Sequence, residues 1–170
     1  MKHLVYPTQG LSEKDFAAGS VLVENWSVKA HYAWDTGIAI GRYLEGLKRG
    51  KLLGRYCGGC GRTMIPPRMF CEQCFRPTDE WVELEHTGTV ITFSLCYVRW
   101  NMERLVDPEI PAVIGIDGAS QGMGIMHMLG DVDPKSVAIG MRVQAVWKPE
   151  AERIGDITDI VYFKPFGGAQ

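Results

Sequence analysis

Cys57-Gly58-Gly59-Cys60 and Cys71-Glu72-Gln73-Cys74, with ten residues between them, form the stretch on which the fold of this 170-residue chain turns. A CxxC pair bends the backbone so that both sulfurs face one point. Two such pairs supply four soft thiolates at tetrahedral spacing, the ligand set of Zn²⁺ and, less often, of Fe. The gap is shorter than in the commonest four-cysteine pattern but ample for a two-knuckle ribbon. Two disulfides are disfavoured because the N-terminus shows no secretory pattern. A redox dithiol is disfavoured because such a CxxC opens a helix after a strand, whereas these pairs flank Pro66-Pro67. A closed four-thiolate site keeps no open position, so Cys57, Cys60, Cys71 and Cys74 are expected to hold a structural ion. That centre carries a formal charge of about −2, and Arg55, Arg62, Arg68 and Arg76 lie close in sequence to offset it.

Outward from the ribbon, expected over residues 53–81, the pattern differs on each side. Upstream, a helix is expected from about Asp35 to Arg49, capped by Asp35 or Thr36, with Ile40, Tyr43, Leu44 and Leu47 as its apolar stripe and Gly50 as its stop. Its three glycines, Gly37, Gly41 and Gly46, each cost about 1 kcal/mol relative to alanine, so the helix should depend on packing. Residues before it, with Val21-Leu22-Val23, Trp26 and Tyr32 between breakers, read as an arm that wraps another surface. Downstream, strands are expected at 89–98, 111–117, 122–129, 141–147 and 157–163, with a short helical insert at 131–139. The expected class is therefore mainly β: an N-terminal helical arm (1–52), a rubredoxin-like zinc ribbon (53–81) and a C-terminal five-stranded OB-fold barrel (82–170).

Composition sets further bounds. The chain is 46% hydrophobic and 22% charged, with a formal net charge of −2 and an isoelectric point near 6.1. That balance argues against a dedicated nucleic-acid binder. No apolar run approaches the roughly 20 residues that span a bilayer, so a cytoplasmic location is expected. Neither a Ser/His/Asp set, a phosphate-cradling glycine loop nor HExxH occurs, and no catalytic residue is assigned. Cys96, the fifth cysteine, is expected as a small buried hydrophobe; Met123, Met126, Met128 and Met141 as barrel filling; and His127 as a satisfied core or edge histidine.

Taken together, the glycine-containing helix, Tyr56-Cys-Gly-Gly-Cys-Gly-Arg62, Ile65-Pro-Pro-Arg68, Cys71-Glu-Gln-Cys74, Gly88-Thr-Val90 and Gly140-Met-Arg-Val143 resemble a family of zinc-ribbon/OB-fold proteins associated with acyl-CoA enzymes. The resemblance covers about residues 35–165. It implies a non-catalytic or co-catalytic subunit, paired with a thiolase-superfamily enzyme in a hetero-oligomer and helping to hold coenzyme A. The long arm looks most like that of the small subunit of a benzoylsuccinyl-CoA thiolase. For the CoA part, Arg68, Arg99, Trp100 and Arg104 are the candidates, the last three in a loop after the first barrel strand where guanidinium groups can meet phosphates and an indole can stack on adenine. The alternative is a single-stranded nucleic-acid binder, drawing on the basic run Lys48, Arg49, Lys51, Arg55, Arg62 and Arg68 and on the aromatics Phe93, Tyr97 and Trp100. An iron-bearing electron carrier is a third reading.

Overall fold

A computed structural model describes residues 10, 12–21, 29, 31 and 33–167. The chain divides into two units, Met1–Trp34 and Asp35–Gln170. In the first, helix α1 (Glu13–Ala17) starts where the Asp15 carboxylate accepts from the Ser12 N–H and hydroxyl, at 2.7 and 2.6 Å. Leu22, Val23, Trp26 and Tyr32, on which the expectation of an arm rested, lie outside the described residues.

The second unit opens with α2 (Gly37–Lys48). Asp35 Oδ1 accepts from the Gly37 N–H at 2.8 Å. At the other end the Gly50 N–H reaches Leu47 and the Lys51 N–H reaches Gly46, the paired bonds that close a helix on a left-handed residue. Tyr43 and Leu47 are buried as the stripe requires. Gly46 owes its place to close packing rather than to the helix. A Cβ there would sit 2.8 Å from Leu53 Cδ1, so only glycine lets α2 lie this close to the strand that follows.

That strand, β1 (Leu52–Cys57), pairs antiparallel with β2 (Arg62–Met64) on one side. The short ladder of β3 (Phe70–Cys71) and β4 (Arg76–Pro77) comes next, and β5 (Glu80–Leu84) returns to pair with the other side of β1. Trp81 on β5 lies between two guanidiniums, Arg42 of α2 at 4.7 Å and Arg55 of β1 at 5.0 Å, which ties helix to ribbon. The three-stranded sheet thus continues to Leu84 before the barrel begins.

The barrel is a closed ring of five strands. β6 (Thr87–Phe93) pairs with β8 (Arg104–Ile116), β8 with β9 (Gly124–Leu129), β9 in parallel with β11 (Ile160–Pro165), β11 with β10 (Arg142–Trp147), and β10 with β6. Inward residues Val90, Ile114, Val143, Ile160 and Phe163 are each 0–1% exposed, and such side chains contribute about 1.5–3 kcal/mol apiece on burial. A 3₁₀ turn at Pro134–Ser136 fills the expected insert.

Three local differences from the sequence expectation matter. The run 89–98 is broken at Ser94-Leu95, beyond which β7 (Cys96–Val98) leaves the ring and follows the projecting half of β8. The second strand begins at Arg104 rather than at 111: Pro108 falls within the register shift between Cys96↔Glu109 and Val98↔Arg104, where the ladder is interrupted. Third, residues 157–159 form a 3₁₀ turn ahead of β11 instead of opening the strand. Among the described residues no helix is long and apolar enough to cross a membrane.

Arg142, of the Gly-Met-Arg-Val motif, clamps the ring. Its Nη1 reaches Asp117 Oδ1 and Thr89 Oγ1 at 2.8 and 2.9 Å, Nη2 binds Asp117 Oδ2, and the Thr87 hydroxyl donates to the same carboxylate at 2.5 Å. These bonds, Arg142 first, hold the Asp117 carboxyl below its usual range. A depressed carboxyl stabilises the fold above its unfolded value of about 3.9 and loses that contribution as pH falls through the folded value. Arg142→Ala is expected to cost about 1 kcal/mol at pH 7, allowing for solvent screening, and less at pH 3. Urea denaturation at the two pH values tests this, and an equal loss at both would remove the ionic account.

Candidate functional site

The four cysteines converge at the free end of the ribbon. β1 delivers Cys57 and a tight turn returns Cys60, closed by the Gly61 N–H on the Cys57 carbonyl at 2.8 Å. Asp79 Oδ2 steadies the turn by accepting from the Gly58 N–H at 2.7 Å. The β3–β4 ladder brings Cys71 and Cys74 opposite. All four sulfurs lie within 4.8 Å of one another, with Cys60 and Cys71 at 3.6 Å. Tetrahedral coordination at a Zn–S length of 2.3 Å calls for sulfur separations of about 3.8 Å. Gly59 keeps the crossing open, since a Cβ there would lie 3.1 Å from Cys74 Sγ and press on the cluster.

The electrostatics fit a cation. The Cys57 thiol is lowered to about 7, chiefly because the Cys60 N–H points at its sulfur. Cys74 is pushed up to about 12, first by its hydrogen bond with Cys60 and then by burial and the other sulfurs. Four thiolates this close ionise together only around a positive charge. They form the metal-binding cluster of a zinc ribbon, and Cys57 and Cys71 lie fully buried with Met64 in its small core.

The arginines divide. Arg62 serves the cluster: its pKa is raised first by Glu72, at 2.9 Å, and also by the negative charge of Cys60 and Cys71. Arg55 is instead buried, donating through Nε to Thr78 Oγ1 at 2.8 Å and through Nη2 to the Thr78 carbonyl. Arg76 pairs with Asp79 at 2.7 Å.

Of the CoA candidates, Arg68 is on the ribbon, 3.5 Å from Glu72. The other three are on the β7–β8 hairpin. Arg99 already binds Glu103 and Glu109 at 2.9 and 2.8 Å. Trp100, at the tip, is 95% exposed. Arg104 belongs to β8 itself, paired with Val98, rather than to a loop.

The hairpin also carries Tyr97, Val98, Met102 and Val106, all exposed. Cys96 is half-buried rather than enclosed, because β7 is an edge strand with a single neighbour. Met126 is exposed too, not barrel filling: alternation along β9 turns Ile125 and Leu129 inward and Met126 outward. Beside the cluster, the exposed Phe70 and Phe75 meet edge to face at 6.3 Å, and Phe75 holds a left-handed φ of 49°. Sequence reading missed Thr78, Asp79 and Trp81 as supports of the site; the Pro77-Thr-Asp79 turn signal after the second knuckle was the available clue.

Comparison with known proteins agrees with this anatomy. Residues 44–80 match the family model of the ChsH2 rubredoxin-like zinc ribbon domain, and residues 81–148 that of the ChsH2 C-terminal OB-fold domain. A DUF35 domain-containing scaffold protein of Methanocaldococcus jannaschii is 35% identical over 118 residues, 67% of this chain and 81% of that protein. One from Methanothermobacter thermautotrophicus is 26% identical over 122 residues, 69% and 89% of the two. Among solved structures, a DUF35-family protein of unknown function from Sulfolobus solfataricus superposes with a TM-score of 0.56 at 26% identity, over 65% of this chain and 79% of that one. The Ltp2-ChsH2(DUF35) aldolase does so with a TM-score of 0.56 at 21% identity, over 79% and 98%, a likeness of fold.

Proposed function

The chain belongs to the DUF35 family of zinc-ribbon/OB-fold scaffold proteins, and we propose that it is a non-catalytic accessory subunit of a thiolase-type acyl-CoA complex in the cytoplasm. In this role it contributes the subunit interface and part of the coenzyme A site. The observation that carries the reading is the projecting hairpin, where Tyr97, Val98, Trp100, Met102 and Val106 stand in solvent on two strands and the turn that joins them, outside the closed ring. Aromatic and methionine side chains presented this way suit the centre of a protein interface. The solved neighbour named as an Ltp2-ChsH2 aldolase supports a partnered role. Zinc in the ribbon is structural, and Trp100 and Arg104 are the groups best placed to meet an adenine and its phosphates. The likeness of the arm makes benzoylsuccinyl-CoA the first substrate to try.

The nucleic-acid reading draws less support. Of the basic run, Arg49, Lys51, Arg62 and Arg68 are each paired with glutamates, and Arg55 is buried against Thr78.

Co-expression with a thiolase-superfamily subunit tests the proposal. The two chains should co-elute on size exclusion and turn over the acyl-CoA only together. Trp100→Asp with Val106→Asp should weaken association at least about tenfold, the effect of losing an interface hot spot. A partner fully active and stable without this chain would end the reading.

A further inference from the structure

Strands β9 and β11 meet in register at one position only, Leu129↔Phe163. Before that point they diverge, leaving an open seam of about 460 Å³ in the barrel wall, a volume within the range of small-molecule sites. Met126, Met128, Ile157 and Val161 supply apolar walls, while His127 and Lys148 add the polar groups. Among the described residues no carboxylate lines it. The acids next to the seam are turned elsewhere: Asp159 is buried onto the N–H groups of Ile154, Gly155 and Asp156, with Lys148 acting on it from beyond ion-pair range, and Asp156 accepts from the Thr158 N–H. Lys148 therefore makes no ion pair among the described residues, its ammonium donating only to Thr158 Oγ1 at 3.2 Å.

We propose that this seam binds a small apolar carboxylate, its hydrocarbon body between Met126, Met128 and Val161 and its head at Lys148. Charge complementarity selects the occupant: an ammonium with no ion-pair partner among the described residues, at the edge of an apolar trough that no described carboxylate lines, favours an anion over a neutral or cationic guest. A peptide strand is disfavoured because the edge it would need is capped. The Met128 N–H already donates to His127 Nδ1 at 2.9 Å, and His127 Nε2 bonds the Ile157 carbonyl across the seam at 3.2 Å. Methionines suit a pocket that adjusts to the shape of its guest. The inference is independent of the thiolase reading, since the seam's head group, Lys148, follows β10 and its apolar walls come from β9, β11 and the turn before β11, not from the exposed residues of the projecting hairpin.

The test is titration of the full chain, carrying ¹³C-methyl methionine, with decanoate below its micellar range and with decanol as the neutral counterpart. Among eight methionines, the Met126 signal is identified by its loss in Met126→Leu. Decanoate should shift the Met126 and Met128 methyls saturably and bind tighter than decanol. Lys148→Gln should weaken decanoate about fivefold, as for loss of one partly screened ion pair, and leave decanol unchanged. The proposal falls if decanoate shifts neither methyl, or binds Lys148→Gln as well as the parent. It falls also if the methyls respond to protein concentration alone, which would give the seam to a second copy.

Discussion

Cys71→Ser should release the metal and melt the outer ribbon while the barrel stays folded. The local core there is small, with Cys57, Met64 and Cys71 as its only fully buried members among the described residues. Structural zinc contributes about 10–16 kcal/mol of apparent binding energy in domains of this size, far more than three buried side chains provide. The inner end of the ribbon sheet is held differently, since Leu52, Ile65 and Leu84 belong to the main core. Amide hydrogen exchange should therefore rise steeply from about residue 57 to 77 and stay unchanged in β6 and β8–β11, with metal content falling below one equivalent. A strong chelator should reproduce the pattern in the parent chain. Retention of a full equivalent of zinc with unaltered exchange would show that Cys71 is not a ligand.

Asp159→Ala should destabilise the barrel strongly. The side chain is fully buried and accepts three backbone N–H groups, from Ile154, Gly155 and Asp156, at 3.0, 2.7 and 3.2 Å. Those bonds shape the loop between β10 and β11. Within it Arg153 lies over the Trp147 ring at 5.5 Å and donates to the Lys148 carbonyl at 2.8 Å. Removing the acceptor strands three donors, so about 3–4 kcal/mol is expected, or roughly 10 °C in Tm for a chain of this length. Burial alone would raise the Asp159 carboxyl, but the three N–H donors outweigh it and the net shift is downward. Its contribution is thus complete above pH 4 or so and fades as acid carries the carboxyl through its folded value. Asp159→Asn, which keeps the shape without the charge, should flatten stability between about pH 5 and 3. Thermal melts of the parent and both variants across that range decide the matter, and a Tm within about 2 °C for Asp159→Ala would refute it.

Much of this architecture was legible because it follows local rules. The stripe Ile40, Tyr43, Leu44 and Leu47 announced α2, and runs of β-branched, aromatic and other apolar residues announced each of the five ring strands, though not all their ends. What escaped was decided by non-local partners. The second strand is expected to start at Pro111, yet β8 begins at Arg104 and runs through both prolines, with Pro108 in a register shift and Pro111 paired with Met128. Residues 157–159 are expected to open the strand that Ile160-Val-Tyr-Phe163 announces, while the Asp156 and Asp159 carboxylates, three residues apart, build a capped turn instead.

The metal cluster and the class of fold were readable from the chain alone, because four cysteines at CxxC spacing and successive β-branched, aromatic-rich runs carry their geometry within a few residues. Which arginine serves the cluster and which supports the fold came from the three-dimensional arrangement, with Arg62 at Glu72 beside the cysteines and Arg55 buried against Thr78. That arrangement also revealed that the hairpin stands outside the ring and that β9 and β11 part to leave a seam beside Lys148. Each of these depends on which residues distant in sequence arrive together, Arg55 at Thr78, Arg62 at Glu72, Met126 at Val161, and no local pattern encodes such meetings.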